Sequence, residues 1–136
     1  MLKGSCACGC VQYEAAQICR PIVFCHCDDC KKTHSTAFSA NATVRAKEFV
    51  ITQGVTLLTT YKPFPNKTRY FCSLCGSHIM HKIDEDSEHI KLKLGTVLSI
   101  DDFDLNSYER YHIFSEHDTP WTDYEGCKKY MQWKND

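Results

Sequence analysis

Ile90-Lys91-Leu92-Lys93-Leu94-Gly95 carries an apolar side chain at every second position and ends on glycine. Period two is the pattern of a half-buried antiparallel strand, with one face in the core and the other turned outward. The same reading extends along the chain. Val11-Gln12-Tyr13-Glu14-Ala15 alternates, and Phe49-Val50-Ile51-Thr52 is punctuated by Gly54. Thr56-Leu57-Leu58-Thr59-Thr60-Tyr61 is β-branched and aromatic, with Pro63 and Pro65 expected to stop it. Tyr111-His112-Ile113-Phe114 adds a short candidate strand. Helical signals are few: a turn at Ala46-Lys47-Glu48 and a short C-terminal helix between Tyr124 and Trp133. The fold class expected is mainly β, compact and antiparallel. No repeat, linker or low-complexity tract divides the chain, so residues 1–136 read as a single domain.

Composition narrows the function classes. Sixteen Lys and Arg balance seventeen Asp and Glu for a formal charge of −1, which argues against a nucleic-acid partner. Hydrophobic content of 43% argues against disorder. The start, Met1-Leu2-Lys3-Gly4-Ser5-Cys6, has no apolar stretch of signal-peptide length, and no run of about 18 apolar residues follows, so neither secretion nor a membrane is expected. The expected location is cytoplasmic, where persistent disulfides are rare.

One count is abnormal: ten cysteines. Seven fall into Cys6-Ala7-Cys8-Gly9, Cys25-His26-Cys27-Asp28-Asp29-Cys30 and Cys72-Ser73-Leu74-Cys75-Gly76. In an extended segment residues i and i+2 share a face, so C-x-C delivers two thiolates to one side. C-x-x-C closes a turn that aims two sulfurs inward, and a following glycine frees the backbone. A structural zinc takes four ligands as a closed tetrahedron, which Cys6, Cys8, Cys72 and Cys75 supply. The central group offers Cys25, Cys27 and Cys30 without an obvious fourth, the arrangement of catalytic zinc with an open position. Two zinc ions per chain follow as the expected cofactors. Four alternatives stand beside this: a disulfide scaffold, redox-active thiols at Cys27 and Cys30, an iron–sulfur cluster, and a second site that is purely structural with a histidine completing it.

Cys10, Cys19 and Cys127 read as ordinary buried thiols, although Cys10 lies near enough to the first pair to replace one of its ligands. His34, His78, His81, His89, His112 and His117 form no spaced pair and read as core or surface side chains. His26, between two ligands, is expected to point away from the metal.

Taken in order, Gly4-Ser5-Cys6-Ala7-Cys8-Gly9, Cys25-His26-Cys27-Asp28-Asp29-Cys30-Lys31-Lys32 and Phe71-Cys72-Ser73-Leu74-Cys75-Gly76-Ser77 resemble the family of glutathione-dependent formaldehyde-activating enzymes (the GFA domain), which also contains the domain of centromere protein V. His112-Ile113-Phe114 and then Trp121 match its closing pattern. The resemblance implies a β-tent fold with two zinc sites. It assigns Cys6, Cys8, Cys72 and Cys75 to the structural metal, and Cys25, Cys27 and Cys30 to the other. It also implies a carbon–sulfur lyase-type reaction in which glutathione and formaldehyde combine as S-hydroxymethylglutathione. The expected partners are thus a small thiol such as glutathione and a small aldehyde. Lys31 and Lys32 are candidates for attracting the thiol's carboxylates, with a solvated surface pair as the equal alternative. One departure stands out: Ser35 occupies a position where the family usually has glycine, so a left-handed backbone there would be strained. The competing function is a non-catalytic, zinc-stabilised β module that binds another protein, because fold does not imply function.

Overall fold

A computed structural model describes residues 1–117, 119 and 121. Its strands are β1 (Leu2–Ser5), β2 (Gln12–Ala15), β3 (Ile22–Cys25), β4 (Ser39–Arg45), β5 (Phe49–Gln53), β6 (Leu58–Phe64), β7 (Lys67–Cys72), β8 (His78–Ile83), β9 (Asp86–Lys93), β10 (Val97–Ile100) and β11 (Arg110–Ile113). One α-helix, α1 (Asp28–His34), stands among the described residues. The described residues are mainly β and form no barrel. A four-stranded sheet runs β10-β1-β2-β5, and a seven-stranded sheet runs β11-β3-β4-β9-β8-β7-β6.

The core lies between the sheets. Leu2, Val11, Tyr13 and Ala15 come from the smaller sheet and the turn beside it, and Ala42, Val44, Met80, Ile90 and Leu92 from the larger. Each fully buried aliphatic side chain contributes roughly 1.5–3 kcal/mol. Alternation then puts the intervening residues of the seven-stranded sheet on its opposite face. Ser39, Asn41 and Thr43 of β4, Arg69 of β7 and Lys93 of β9 are nonetheless buried. Helix α1 and the segment 114–117 approach this second face: Arg69 bonds Asp29 of α1, and Lys31 of α1 reaches the His117 carbonyl.

Several expectations need adjusting. The strand read at 56–61 begins after a 3₁₀ turn at Val55–Leu57 and continues through Pro63 to Phe64. β6 is an edge strand whose register shifts between Tyr61 and Phe64. Pro63 falls within that register shift, away from a paired position, so it breaks no ladder hydrogen bond and does not end the strand. The strand read at 90–95 starts earlier, at Asp86, and gives way to a 3₁₀ turn at Leu94–Thr96. β11 pairs with β3 in parallel, so the larger sheet is not wholly antiparallel. Helix α1 had no sequence signal because it is barely two turns and carries charged rather than periodic apolar residues. The C-terminal helix expected between Tyr124 and Trp133 lies outside the described residues.

Ser35 caps α1 in the left-handed region, with φ 50° and ψ 49°. Its N–H and that of Thr36 both close on the Lys31 carbonyl, so the conformation ends the helix. A non-glycine residue there costs about 1–2 kcal/mol, part of which glycine returns as backbone entropy. Ser35→Gly is therefore expected to raise stability by up to about 1 kcal/mol. Denaturant unfolding checks it: an unchanged or lower midpoint would mean the serine is held there without strain.

Candidate metal centres and their cavity

The first four-cysteine group is built from two turns. β1 ends at Ser5, and the Gly9 N–H closes on the Cys6 carbonyl at 3.0 Å. The first pair is thus presented by a turn rather than by the extended segment the C-x-C spacing suggested. The second turn follows β7, with the Gly76 N–H on the Cys72 carbonyl at 2.8 Å. Gly9 and Gly76 have φ of 78° and 77°, which explains a glycine after each pair. The Val11 N–H points at the Cys6 sulfur, at 3.2 Å. The four sulfurs of Cys6, Cys8, Cys72 and Cys75 lie within 4.8 Å of one another. Cys6 and Cys8 are 3.5 Å apart at sulfur, Cys8 and Cys72 3.9 Å. Zinc–sulfur bonds of about 2.3 Å place tetrahedral sulfurs about 3.8 Å apart, so the donor set fits zinc. Because Cys6 adjoins the smaller sheet and Cys72 ends a strand of the larger, one ion here would tie the two sheets together.

The second group is built differently. Cys25 ends β3, Cys27 caps α1 with its sulfur accepting the Cys30 N–H at 3.4 Å, and Cys30 sits in the first helical turn. Their three sulfurs also lie within 4.8 Å of one another, and no fourth described His, Cys, Asp or Glu joins them. His26 turns the other way: its Nε2 is 2.7 Å from His112 Nδ1, and its ring packs on Phe38. Strand alternation explains this, since His26 and Cys25 cannot share a face. Among the described residues Cys10 and Cys19 are only partly buried, not the core thiols their composition suggested, and no disulfide is present. Cys127 lies outside the described residues.

Behind Cys30 the sheet places a set of charged groups that no motif announced. Arg69, fully buried, donates from Nη2 to Asp29 at 2.5 Å and to the Cys30 sulfur at 3.6 Å, and from Nη1 to His34 Nε2 at 3.2 Å. Burial pushes His34 down to about 3, aided by the positive Lys93 and Arg69, so its ring is a neutral acceptor. Lys93 donates to Asn41 at 2.5 Å and to His81 Nδ1 at 2.9 Å. Burial, then Arg69, pushes its ammonium down to about 7, and the Cys30 and Cys25 sulfurs oppose this. Hydrogen bonding with Cys25 holds the Cys30 thiol down at about 3 against its burial, with help from Ser39 and Arg69. Buried cations need partners, and a thiolate cluster is a suitable one. The strand pairings bring these residues together: Thr43 lies opposite Lys91, Lys91 opposite His81, and His81 opposite Arg69.

The three cysteines open into a cavity of about 610 Å³. Lys67, Lys91, His81 and Asn41 line it on the sheet side, and Phe64, Tyr111, Ile113 and Phe114 around the rest. Neither Lys31 nor Lys32 reaches it. Lys31 is 8% exposed, and its Nζ is engaged by the His117 carbonyl and by Asp28 at 3.5 Å. Lys32 is exposed, and both lysines border a separate hollow with Ser35, Thr36 and Trp121. The cavity's cations are Lys67 and Lys91, which in sequence are simply polar positions of alternating strands. Only the pairing register gathers them beside the cysteines.

Comparison with known proteins bears on these sites. The family described as glutathione-dependent formaldehyde-activating enzyme matches residues 1–117. No curated protein matches the chain. A crystal structure of a Rhodobacter sphaeroides protein superposes with a TM-score of 0.61 at 20% identity, covering 80% of this chain and 99% of that one. That likeness is one of fold.

Proposed function

The chain belongs to the family of glutathione-dependent formaldehyde-activating enzymes, and on that premise we propose that it joins a small thiol to an aldehyde at Cys25, Cys27 and Cys30, a carbon–sulfur lyase-type reaction read in the direction of synthesis. In this reading the four-cysteine site holds a structural zinc and the three-cysteine site a second. The observation that carries the reading is the cavity, because a purely structural cluster has no use for an opening of about 610 Å³ at its sulfurs. The same observation favours chemistry over a non-catalytic protein-binding module.

Cys25, Cys27 and Cys30 would hold a zinc ion, which would supply a Lewis acid able to lower the pKa of an incoming thiol. The remaining work falls to the chain. Arg69 and Lys93, buried behind the cysteines, stabilise negative charge gathered there. Lys67 and Lys91 present ammonium groups from the sheet side, where a glutathione carboxylate or the developing oxyanion would lie. The thiol's sulfur lone pair forms the carbon–sulfur bond, and the carbonyl π pair moves to oxygen. That oxygen takes up the proton lost by the thiol, so the step is redox-neutral and needs no further reactant. Thr43 also lines the cavity and accepts from Lys91 Nζ at 3.1 Å, which fixes the position of that ammonium.

Cobalt substitution tests this reading. Adding glutathione to the cobalt-loaded protein is expected to shift the thiolate-to-metal absorption, and Cys27→Ser is expected to abolish that response. A spectrum that stays constant across a wide range of glutathione would remove the thiol from the site.

A further inference from the structure

The cavity is more apolar than a glutathione–formaldehyde adduct requires. Glutathione accounts for an opening of about 610 Å³, but it is a polar tripeptide to which formaldehyde adds only two heavy atoms. Most of the accessible wall is carbon, and the sheet register shows where the carbon begins. β11 runs parallel to β3 with Ile113 opposite Cys25 and Tyr111 opposite Val23, and all four residues face the cavity. An apolar strip therefore starts beside the cysteine sulfurs and runs away from them along two strands. Phe64, on the edge strand β6, and Phe114 close the rim.

Two further observations point the same way. Phe64, Tyr111 and Phe114 are 50%, 42% and 52% exposed, so three large aromatic side chains at one cavity lack cover of their own. Phe114 also holds a φ of 56°, a region bulky residues seldom occupy and one that recurs at ligand clamps. The His117 N–H on the Phe114 carbonyl, and Lys31 on the His117 carbonyl, keep it there.

We propose that the aldehyde joined at this site carries an apolar alkyl or aryl body, seated against Val23, Phe64, Tyr111, Ile113 and Phe114, so that the adduct is a hemithioacetal of a larger aldehyde rather than of formaldehyde. This rests on the thiol–aldehyde reading above and names its substrate class. The bonds are those already described, with a carbon-bound alkyl or aryl group in place of one formaldehyde hydrogen, and nothing is oxidised or reduced.

S-alkylglutathiones are stable stand-ins for the adduct, and calorimetry on the metal-loaded protein measures their binding without turnover. A buried methylene contributes roughly a fourfold gain in affinity when fully covered. S-hexylglutathione is therefore expected to bind at least tenfold more tightly than S-methylglutathione. Phe114→Gly, whose glycine suits the left-handed backbone, is expected to shrink that ratio while the chain stays folded. Equal affinities along the alkyl series, or a ratio unmoved in both Phe114→Gly and Ile113→Ser, would overturn the proposal. If no S-alkylglutathione binds while cobalt still responds to free glutathione, the apolar aldehyde falls and the thiol reading stands. A silent cobalt spectrum would remove both.

Discussion

Cys72→Ser is expected to leave the chain without a cooperative fold at room temperature, whereas Cys27→Ser is expected to lose one metal and stay folded. Cys72 is fully buried in the core, at the end of a strand in the larger sheet, and its sulfur is 3.9 Å from that of Cys8, in the turn after the first strand of the smaller one. A structural zinc contributes on the order of 10–16 kcal/mol in small domains, and a domain's whole stability is about 5–15 kcal/mol. Losing that site removes the tie between the sheets and leaves hydroxyl and thiol groups unmatched inside the core. Cys27 lies at the start of the helix, partly exposed, outside the core between the sheets. Far-ultraviolet circular dichroism with heating, together with metal content per chain, reads both outcomes. A cooperative melt for Cys72→Ser paired with an unfolded Cys27→Ser would reverse the assignment of structural and open sites.

The second large effect belongs to Arg69. Arg69→Met keeps most of the side-chain volume but strands Asp29, which accepts from Arg69 at 2.5 Å, and removes a donor to the Cys30 sulfur. Breaking one partner of a buried pair costs about 3–5 kcal/mol. Asp29 remains partly open to water and keeps Lys67 at 3.7 Å, so the cost should fall near the lower end, about 3 kcal/mol. For a chain of this length that is a fall in Tm of roughly 10 °C. The double variant Arg69→Met/Asp29→Asn should recover part of the loss, because neither partner is then left charged and alone. A double variant no better than the single one would show that Arg69 acts through packing and Cys30 rather than through the pair.

How much of this was legible in the chain differs by residue. The clustered cysteines followed from spacing, because a short turn aims neighbouring sulfurs whatever the rest of the fold does, whereas joining Cys6 and Cys8 to Cys72 and Cys75 followed from the four ligands a closed site needs. Ser35 was legible only through the family resemblance, which has glycine at its position, since the helix it ends carried no sequence signal. The strand at Leu58–Phe64 was cut short because proline's effect depends on whether it falls at a paired position, and pairing exists only in the assembled sheet. Lys31 and Lys32 follow Cys30 directly in sequence, yet the helix turns both toward a separate hollow and neither lines the cavity. Arg69, Lys93, His81 and Lys67 have no motif at all.

The sequence alone therefore determined the alternating strands, the cysteine motifs and, through their order along the chain, the family, and each motif rests on residues a few positions apart. The tertiary structure decided what surrounds the sulfurs. Cross-strand register, which joins Thr43 to Lys91, His81 and Arg69 across four strands, brought the cations to one side of the cavity. The parallel pairing of β11 with β3 brought Tyr111 and Ile113 to the other. Turns set the register of consecutive strands such as β7, β8 and β9, but the pairings of β4 with β9 and of β11 with β3 depend on contacts between distant segments.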